Sequence, residues 1–190
     1  MIRKGGFTLI ELMITIAIFA IIMVGLYPIY THIATFNMEN YIRTALNDNL
    51  RAGMDRLSRE LREATDVIDP DNPDNSFPDD PNEARHSIIF IHPNPQDPET
   101  DEMVKYVIAA SSAYSIPYFP EGKELRRYVW NGTDWEGGNP ITEPIIHDIV
   151  FKRQGQLIKI AIISRVILRK GKEAQDYIFI GNIGVRNALP

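Results

Sequence analysis

The sequence predicts an α+β protein in which one long N-terminal helix packs on a C-terminal antiparallel β-sheet. Three observations predict this class: an apolar run near the N-terminus, apolar residues at helical spacing beyond it, and short β-rich runs joined by turn residues in the second half. The chain has 190 residues, of which 44% are hydrophobic, which is enough for one modest folded domain with an appended helix.

The first element is the apolar run over residues 7–30. As a helix its roughly 24 residues would extend about 36 Å, which is enough to cross a hydrocarbon core of about 30 Å. Arg3 and Lys4 precede the run, so the positive-inside rule keeps this leader in the cytoplasm and places the rest of the chain outside. A secretory signal carries its small residues after a shorter apolar core, whereas Gly5 and Gly6 stand before this one. Processing at these glycines would leave the helix on the mature protein, and an uncleaved signal-anchor helix is the alternative.

Glu11 is an acidic residue inside this apolar run. A carboxylate within a membrane helix costs about 2.5–3.5 kcal/mol on insertion scales, so it normally has a partner. If cleavage follows Gly6, the new amine of Phe7 on a neighbouring copy could be that partner. We therefore expect Glu11 to set the register between stacked helices during assembly.

The segment GGFTLIELMITIAI resembles the class III signal of type IV pilins and type II secretion pseudopilins. Six consecutive residues match that pattern: Gly6, Phe7, Thr8, Leu9, Ile10 and Glu11. The resemblance implies that a prepilin peptidase cleaves between Gly6 and Phe7 and that Phe7 is N-methylated. It also implies assembly with other pilins or pseudopilins into a helical filament. Pro28 falls where such helices often carry a proline.

After Pro28 the helix is predicted to continue as an amphipathic segment over residues 31–68 and to stop at Pro70. Its apolar residues recur every three or four positions: Met38, Ile42, Leu46, Leu50, Met54, Leu57, Leu61, Ala64 and Ile68. We expect the C-terminal part of this stripe to pack on the protein's own sheet. Ile33 and Phe36 are better candidates for contacts with neighbouring subunits. The segment MDRLSRELREATDVI is similar to the corresponding helix of J-type minor pseudopilins and W-type minor pilins.

Residues 69–190 are predicted to form a proline-rich loop followed by the sheet. The loop DPDNPDNSFPDDPNE has four prolines, which exclude a helix or a central strand. Its residues Asp69, Asp71 and Asp74 are possible calcium ligands, but the spacing lacks the EF-hand pattern, so a solvated turn without a cofactor is favoured. The predicted strands are SIIFI, MVKYVIAA, an LRRYVW hairpin at Asn131-Gly132, a second hairpin at Gln154-Gly155 and DYIFIGNIGVRN. The LRRYVW hairpin and the terminal VRN also look like the J and W minor subunits.

The sequence favours a non-catalytic protein. With no cysteine it has neither disulfides nor thiolate sites, and its four histidines lack metalloprotease or dyad spacing. His147 stands beside Asp148, but consecutive strand residues face opposite sides, so they make a poor dyad.

A basic aromatic surface for DNA is a further hypothesis. Its candidates are Arg126, Arg127, Lys152 and Arg153 with Tyr128, Trp130 and Phe151, and additional charge comes from Arg165, Arg169, Lys170 and Lys172. The net charge of −5 argues against a nucleic-acid partner.

These observations together predict a minor pilin or pseudopilin of a type II secretion pseudopilus or a type IV pilus. Its organisation would be a cleaved leader (1–6), a membrane and assembly helix (7–30), an amphipathic helix (31–68) and the loop and sheet (69–190). It would cross the inner membrane once and expose its soluble domain outside. The lack of cysteine favours the pseudopilin, because a C-terminal disulfide loop is common in type IV pilins. The alternatives are a competence subunit that contacts DNA and a membrane-anchored receptor module that does not assemble.

Overall fold

A computed structural model describes residues 8–80, 82–97, 100–111, 114–168 and 172–185, without the side chains of residues 73–75. One helix, α1, spans Leu9–Arg62. The strands that follow are β1 (Asp66–Asp69), β2 (Asn72–Ser76), β3 (Ser87–Pro93), β4 (Asp101–Ala110), β5 (Lys123–Trp130), β6 (Trp135–Pro140), β7 (Asp148–Gln154), β8 (Leu157–Val166) and β9 (Gln175–Gly184). The predicted α+β class, a long helix followed by antiparallel strands, is confirmed.

The chain divides into two compact units, Met1–Arg43 and Thr44–Pro190. The described part of the first unit is helical from Leu9 onward, with Pro28 inside the helix. The second unit contains the C-terminal part of α1 and all nine strands described above.

The helix ends earlier than the apolar spacing predicts. The prediction extended it to Ile68, but α1 ends at Arg62 and Ile68 lies in β1. The last turn tightens, since the N–H groups of Glu63 and Ala64 donate to carbonyls three residues back. The backbone N–H of Thr65 then donates to the carbonyl of Ile91 at 2.8 Å, which directs the chain into the sheet. The β-branched residues that follow favour a strand, although Ala64 and Ile68 keep the buried positions that the stripe predicted.

The larger sheet has six antiparallel strands in the order β2-β1-β3-β4-β5-β6. The segment predicted as a loop contains β2, which corrects that prediction. Because β2 is the outer strand, Pro73 is tolerated there without breaking a central ladder.

The loop between β5 and β6 has four residues. In this loop Asn131 Oδ1 accepts hydrogen bonds from the N–H groups of Thr133 and Asp134 at 2.8 and 2.7 Å.

A second sheet contains β7, β8 and β9 in that order. The sequence predicted a single sheet, but Pro140 ends β6 and Pro144 lies between β6 and β7, and proline has no N–H group to donate to a ladder. Two isolated bridges join the sheets, one between Arg85 and Phe151 and the other between Lys123 and Ile146. The predicted turn between β7 and β8 is confirmed, with Gly155 at a φ of 60°.

The core of the second unit forms between the C-terminal part of α1 and the sheets. Leu57 and Leu61 are completely buried, and Leu46, Leu50 and Met54 are nearly so. The strands contribute buried residues such as Phe90, Tyr106, Leu125, Ile149 and Ile160. The prediction that this part of the stripe is core is therefore confirmed.

Candidate functional site

The described N-terminal turn is a capping box formed by Thr8 and Glu11. The Glu11 carboxylate accepts the backbone N–H and the hydroxyl of Thr8, both at 3.0 Å, and the backbone N–H of Glu11 donates to Thr8 Oγ1 at 3.3 Å. This arrangement satisfies two N–H groups that a helix leaves without partners at its start. Within the described residues, the side-chain oxygens of Glu11 thus bind only uncharged donors, and its negative charge is not neutralised by them.

The apolar side chains after this turn are exposed on all sides of α1. They include Leu12, Ile16, Phe19, Ile22 and Leu26, each about half exposed or more. By length and composition, α1 is one helix that could cross a membrane, and none of its most apolar window is buried against the rest of the chain. A water-exposed helix with this surface would be costly, so the surface requires lipid or other protein chains around it.

Polar groups within this part of α1 are satisfied locally. The hydroxyl of Thr15 donates to the carbonyl of Glu11 at 2.7 Å, and that of Thr31 donates to the carbonyl of Pro28 at 3.0 Å. Such bonds let threonine remain in a helix without exposing an unsatisfied hydroxyl to an apolar environment. Ile33 and Phe36, predicted to contact other subunits, are both more than half exposed. The predicted cleavage residues Gly6 and Phe7 lie outside the described residues.

The residues proposed for a DNA surface do not all lie together: Arg126, Tyr128 and Trp130 alternate along β5 and share one face of the sheet, but the other candidates are elsewhere. Arg127 points toward α1, where Nε is 2.8 Å from Glu60 Oε2 and Nη2 is 2.6 Å from Glu102 Oε1. Phe151 is completely buried. Arg126 is paired with the carboxylate of Glu124 at 2.8 Å.

Among the other basic candidates, Arg153 donates to the carbonyls of Gly155 and Phe77 at 2.9 and 3.3 Å, and Arg165 pairs with Asp176 at 2.8 Å. Lys152 is half-buried on β7 and Lys172 is exposed, whereas Arg169 and Lys170 lie outside the described residues. The predicted combination of stacked aromatic rings and free cations is therefore not assembled from the candidates that the structure describes.

The aspartates considered as calcium ligands lie beside an arginine. Asp69 accepts two hydrogen bonds from Arg85, at 2.9 and 3.0 Å, and Asp71 lies 3.0 Å from the same guanidinium. The hydrogen bonds from Arg85 hold the pKa of Asp69 below its usual value. The side chain of Asp74 is not described.

Sequence reasoning missed a buried charged cluster beneath α1. Glu102 accepts from Arg127 and lies 3.0 Å from Nε2 of His92, which is 2% exposed. Burial is the main cause that raises the pKa of the neighbouring Tyr106 hydroxyl. The available signal was a polar residue at an inward position of each of β3, β4 and β5, namely His92, Glu102 and Arg127. This signal could be read only once the register of the strands was known.

As predicted, His147 and Asp148 do not form a pair. Instead, Nδ1 of His86 lies 3.0 Å from Asp148 Oδ1.

The N-terminal part of the chain matches a known family model. Residues 1–27 match the family model described as the prokaryotic N-terminal methylation motif. This is the class III signal of type IV pilin-like proteins, which are generally non-catalytic structural subunits. The signal implies processing by a prepilin peptidase, and with the apolar helix it is consistent with anchoring in the inner membrane before assembly. No curated protein and no solved structure matches the chain.

Proposed function

Because the chain carries the class III signal of type IV pilin-like proteins on a pilin-like α+β fold, we propose that it is a minor filament subunit. It would assemble through α1 into a type II secretion pseudopilus or a type IV pilus. The observation that carries this proposal is the position of Glu11, an acid without a charged partner among the described residues, in the first turn of an apolar helix whose surface is exposed on all sides. No step of the proposal requires a cofactor.

The physical role proposed for Glu11 is a contact between subunits. Cleavage between Gly6 and Phe7 would create an amine on Phe7, and that amine on a neighbouring chain would neutralise the carboxylate. Two unit charges about 4 Å apart attract by about 4 kcal/mol at an effective dielectric of 20, which is comparable to the cost of inserting the carboxylate. Such a contact joins unlike surfaces of two copies, so its repetition generates a helical filament.

The soluble domain would lie outside the cytoplasmic membrane. Arg3 and Lys4 on the leader support this orientation through the positive-inside rule. The lack of cysteine favours a pseudopilus over a pilus, because the C-terminal disulfide loop that is common in type IV pilins cannot form.

Mass spectrometry of the membrane-extracted protein tests the processing step. We expect a mature chain that begins at N-methylated Phe7, because glycine precedes the cut and the apolar helix follows it. Gly6→Leu should retain the six-residue leader, whereas the control Gly5→Ala should be cleaved normally. A mature N-terminus at any other residue would contradict the proposed processing.

A further inference from the structure

The loop between β5 and β6 contains an acceptor motif for N-linked glycans. Asn131, Gly132 and Thr133 form the pattern Asn-x-Thr, in which the middle residue is not proline. No other asparagine in the sequence is followed two positions later by serine or threonine. Because so short a pattern also arises by chance, its structural context decides whether it can be used. The asparagine must lie on an exposed loop with an accessible side-chain amide.

The structure places this motif at the tip of an exposed hairpin. The four loop residues, 131–134, are all exposed. A Cβ built on Gly132 would have no heavy atom within 4 Å, so open space surrounds the backbone at the middle of the motif. An enzyme can therefore approach the acceptor without disturbing the sheet that carries the loop.

The side chain of Asn131 forms an Asx turn. Its Oδ1 atom accepts hydrogen bonds from the backbone N–H and the hydroxyl of Thr133, at 2.8 and 2.9 Å, and from the backbone N–H of Asp134 at 2.7 Å. These bonds hold the carbonyl oxygen toward the loop, so Nδ2 lies on the other side of the amide. Nδ2 carries two hydrogens, of which Glu136 Oε1 accepts one. The amide is thus fixed in one orientation, and the Thr133 hydroxyl of the motif takes part in fixing it.

The loop lies beyond the C-terminal end of α1 within the second unit. Near the start of β5, Leu125 lies beside Gly53, since a Cβ on Gly53 would be 3.8 Å from Leu125 Cδ2. Two residues further along β5, Arg127 reaches Glu60 at 2.8 Å. The strand therefore advances toward the end of α1, and Asn131 lies about 13 Å further on. The motif is at the end of this unit opposite to the point where α1 enters it.

We propose that Asn131 is the acceptor of an N-linked glycan, which is transferred from a lipid diphosphate-linked oligosaccharide. A bond forms between Nδ2 of Asn131 and the anomeric carbon of the first sugar, while the bond from that carbon to the phosphate oxygen breaks. Nδ2 loses one proton, the lipid diphosphate leaves, and no group is oxidised or reduced. This inference rests on the proposed function in one respect, since it requires the soluble domain to lie outside the cytoplasmic membrane.

An attached glycan would also shield an apolar part of the hairpin. Trp130 directly precedes the acceptor and is 37% exposed, and its ring packs edge-on against that of Trp135 with 5.4 Å between the centroids. The C–H groups on one face of a sugar ring can cover an indole ring and remove apolar surface from water. The hydroxyl groups of the glycan would remain hydrated, which makes the tip more soluble.

Intact-mass spectrometry of the full-length protein, extracted from the membranes of its own organism, tests this proposal. We expect the wild-type mass to exceed that of the polypeptide, and the added mass to be lost completely in Asn131→Gln and in Thr133→Val. Thr133→Ser keeps the hydroxyl and should keep the added mass. Asn139→Gln is the matched control, because Asn139 is exposed on β6 but is followed two positions later by isoleucine.

A wild-type chain without added mass, or an added mass that survives Asn131→Gln, would overturn the assignment of the glycan. The same spectra identify the N-terminus, so this proposal and the proposed processing fail separately. A chain that begins at methylated Phe7 and carries no glycan overturns only the glycan. A chain that carries the glycan at Asn131 but begins at another residue supports the glycan and contradicts only the processing.

Discussion

Arg127 on β5 contacts Glu60 on α1, with its Nε atom 2.8 Å from Glu60 Oε2, and these side chains are only 15% and 17% exposed. Its Nη2 atom also reaches Glu102 on β4 at 2.6 Å. One guanidinium therefore neutralises carboxylates on the helix and on the sheet, where neither can be fully hydrated. This contact lies at the surface where α1 packs on the larger sheet within the second unit.

We expect Arg127→Ala to lower the free energy of unfolding by about 2–4 kcal/mol, because it leaves two largely buried carboxylates without their cation. Arg56→Ala is a matched control, since Arg56 also approaches Glu60, at 3.5 Å, but is 54% exposed. Its cost should be at most about 1 kcal/mol. Urea unfolding of both variants measures the difference, and similar costs would contradict the role of burial.

The second unit should fold without the membrane helix. A fragment beginning at Thr31 should unfold cooperatively, because it retains the buried stripe of α1 and both sheets. Within it, Leu57→Ala should cost about 2–5 kcal/mol, because that side chain is completely buried. The exposed control Arg59→Ala should change stability by no more than about 0.5 kcal/mol. A fragment without a cooperative transition would show that the stripe needs other subunits.

Asp69 should make stability depend on pH below neutrality. The hydrogen bonds from Arg85 depress the pKa of Asp69 in the folded protein. The carboxylate therefore stabilises the fold fully at pH values well above 3.8, its ordinary pKa, and this stabilisation is lost as the pH falls below 3.8 and through the lower pKa of the folded state. Asp69→Asn should cost about 1–2 kcal/mol at pH 7, and its stability difference from wild type should shrink at pH 3. Asp71→Asn is the control, because Asp71 approaches the same arginine but is 72% exposed. An Asp69→Asn cost that stays constant with pH would refute this assignment.

The sequence predicted the long helix, its buried stripe and the antiparallel strands because these depend on local spacing. Arg127 shows where that reasoning ends. It was grouped with Arg126 as surface charge, yet consecutive residues in a strand face opposite sides, so one of the two had to point toward the helix. Only the register of β4 and β5 determines which one does. The early end of α1 has a similar cause, since the bond from Thr65 to Ile91 joins positions that are distant in sequence.

At the N-terminal turn, the sequence identified Glu11 but not its local partner. The Thr8 hydroxyl and N–H were part of the recognised signal, and their spacing to Glu11 also fits a capping box. Glu11 thus has two separable properties. Its oxygens cap the helix within one chain, and its charge is available to a neighbouring chain.

The proposed assembly role depends on the charge of Glu11 and not on the cap, and two substitutions separate them. Glu11→Gln keeps a side chain that can close a capping box but removes the charge. Thr8→Ala removes the capping hydroxyl and leaves the carboxylate. We expect both proteins to be cleaved and inserted normally, which mass spectrometry of the membrane fraction verifies.

The most direct test is photo-cross-linking in cells that contain the complete machinery, with a photoreactive residue in place of the exposed Ile16. The yield of cross-links to neighbouring filament subunits is compared for wild type, Glu11→Gln and Thr8→Ala. The account predicts that Glu11→Gln loses most of these cross-links while Thr8→Ala keeps them. Wild-type yields with Glu11→Gln, or equal losses in the two variants, would contradict a pairing between the Glu11 charge and a neighbouring subunit.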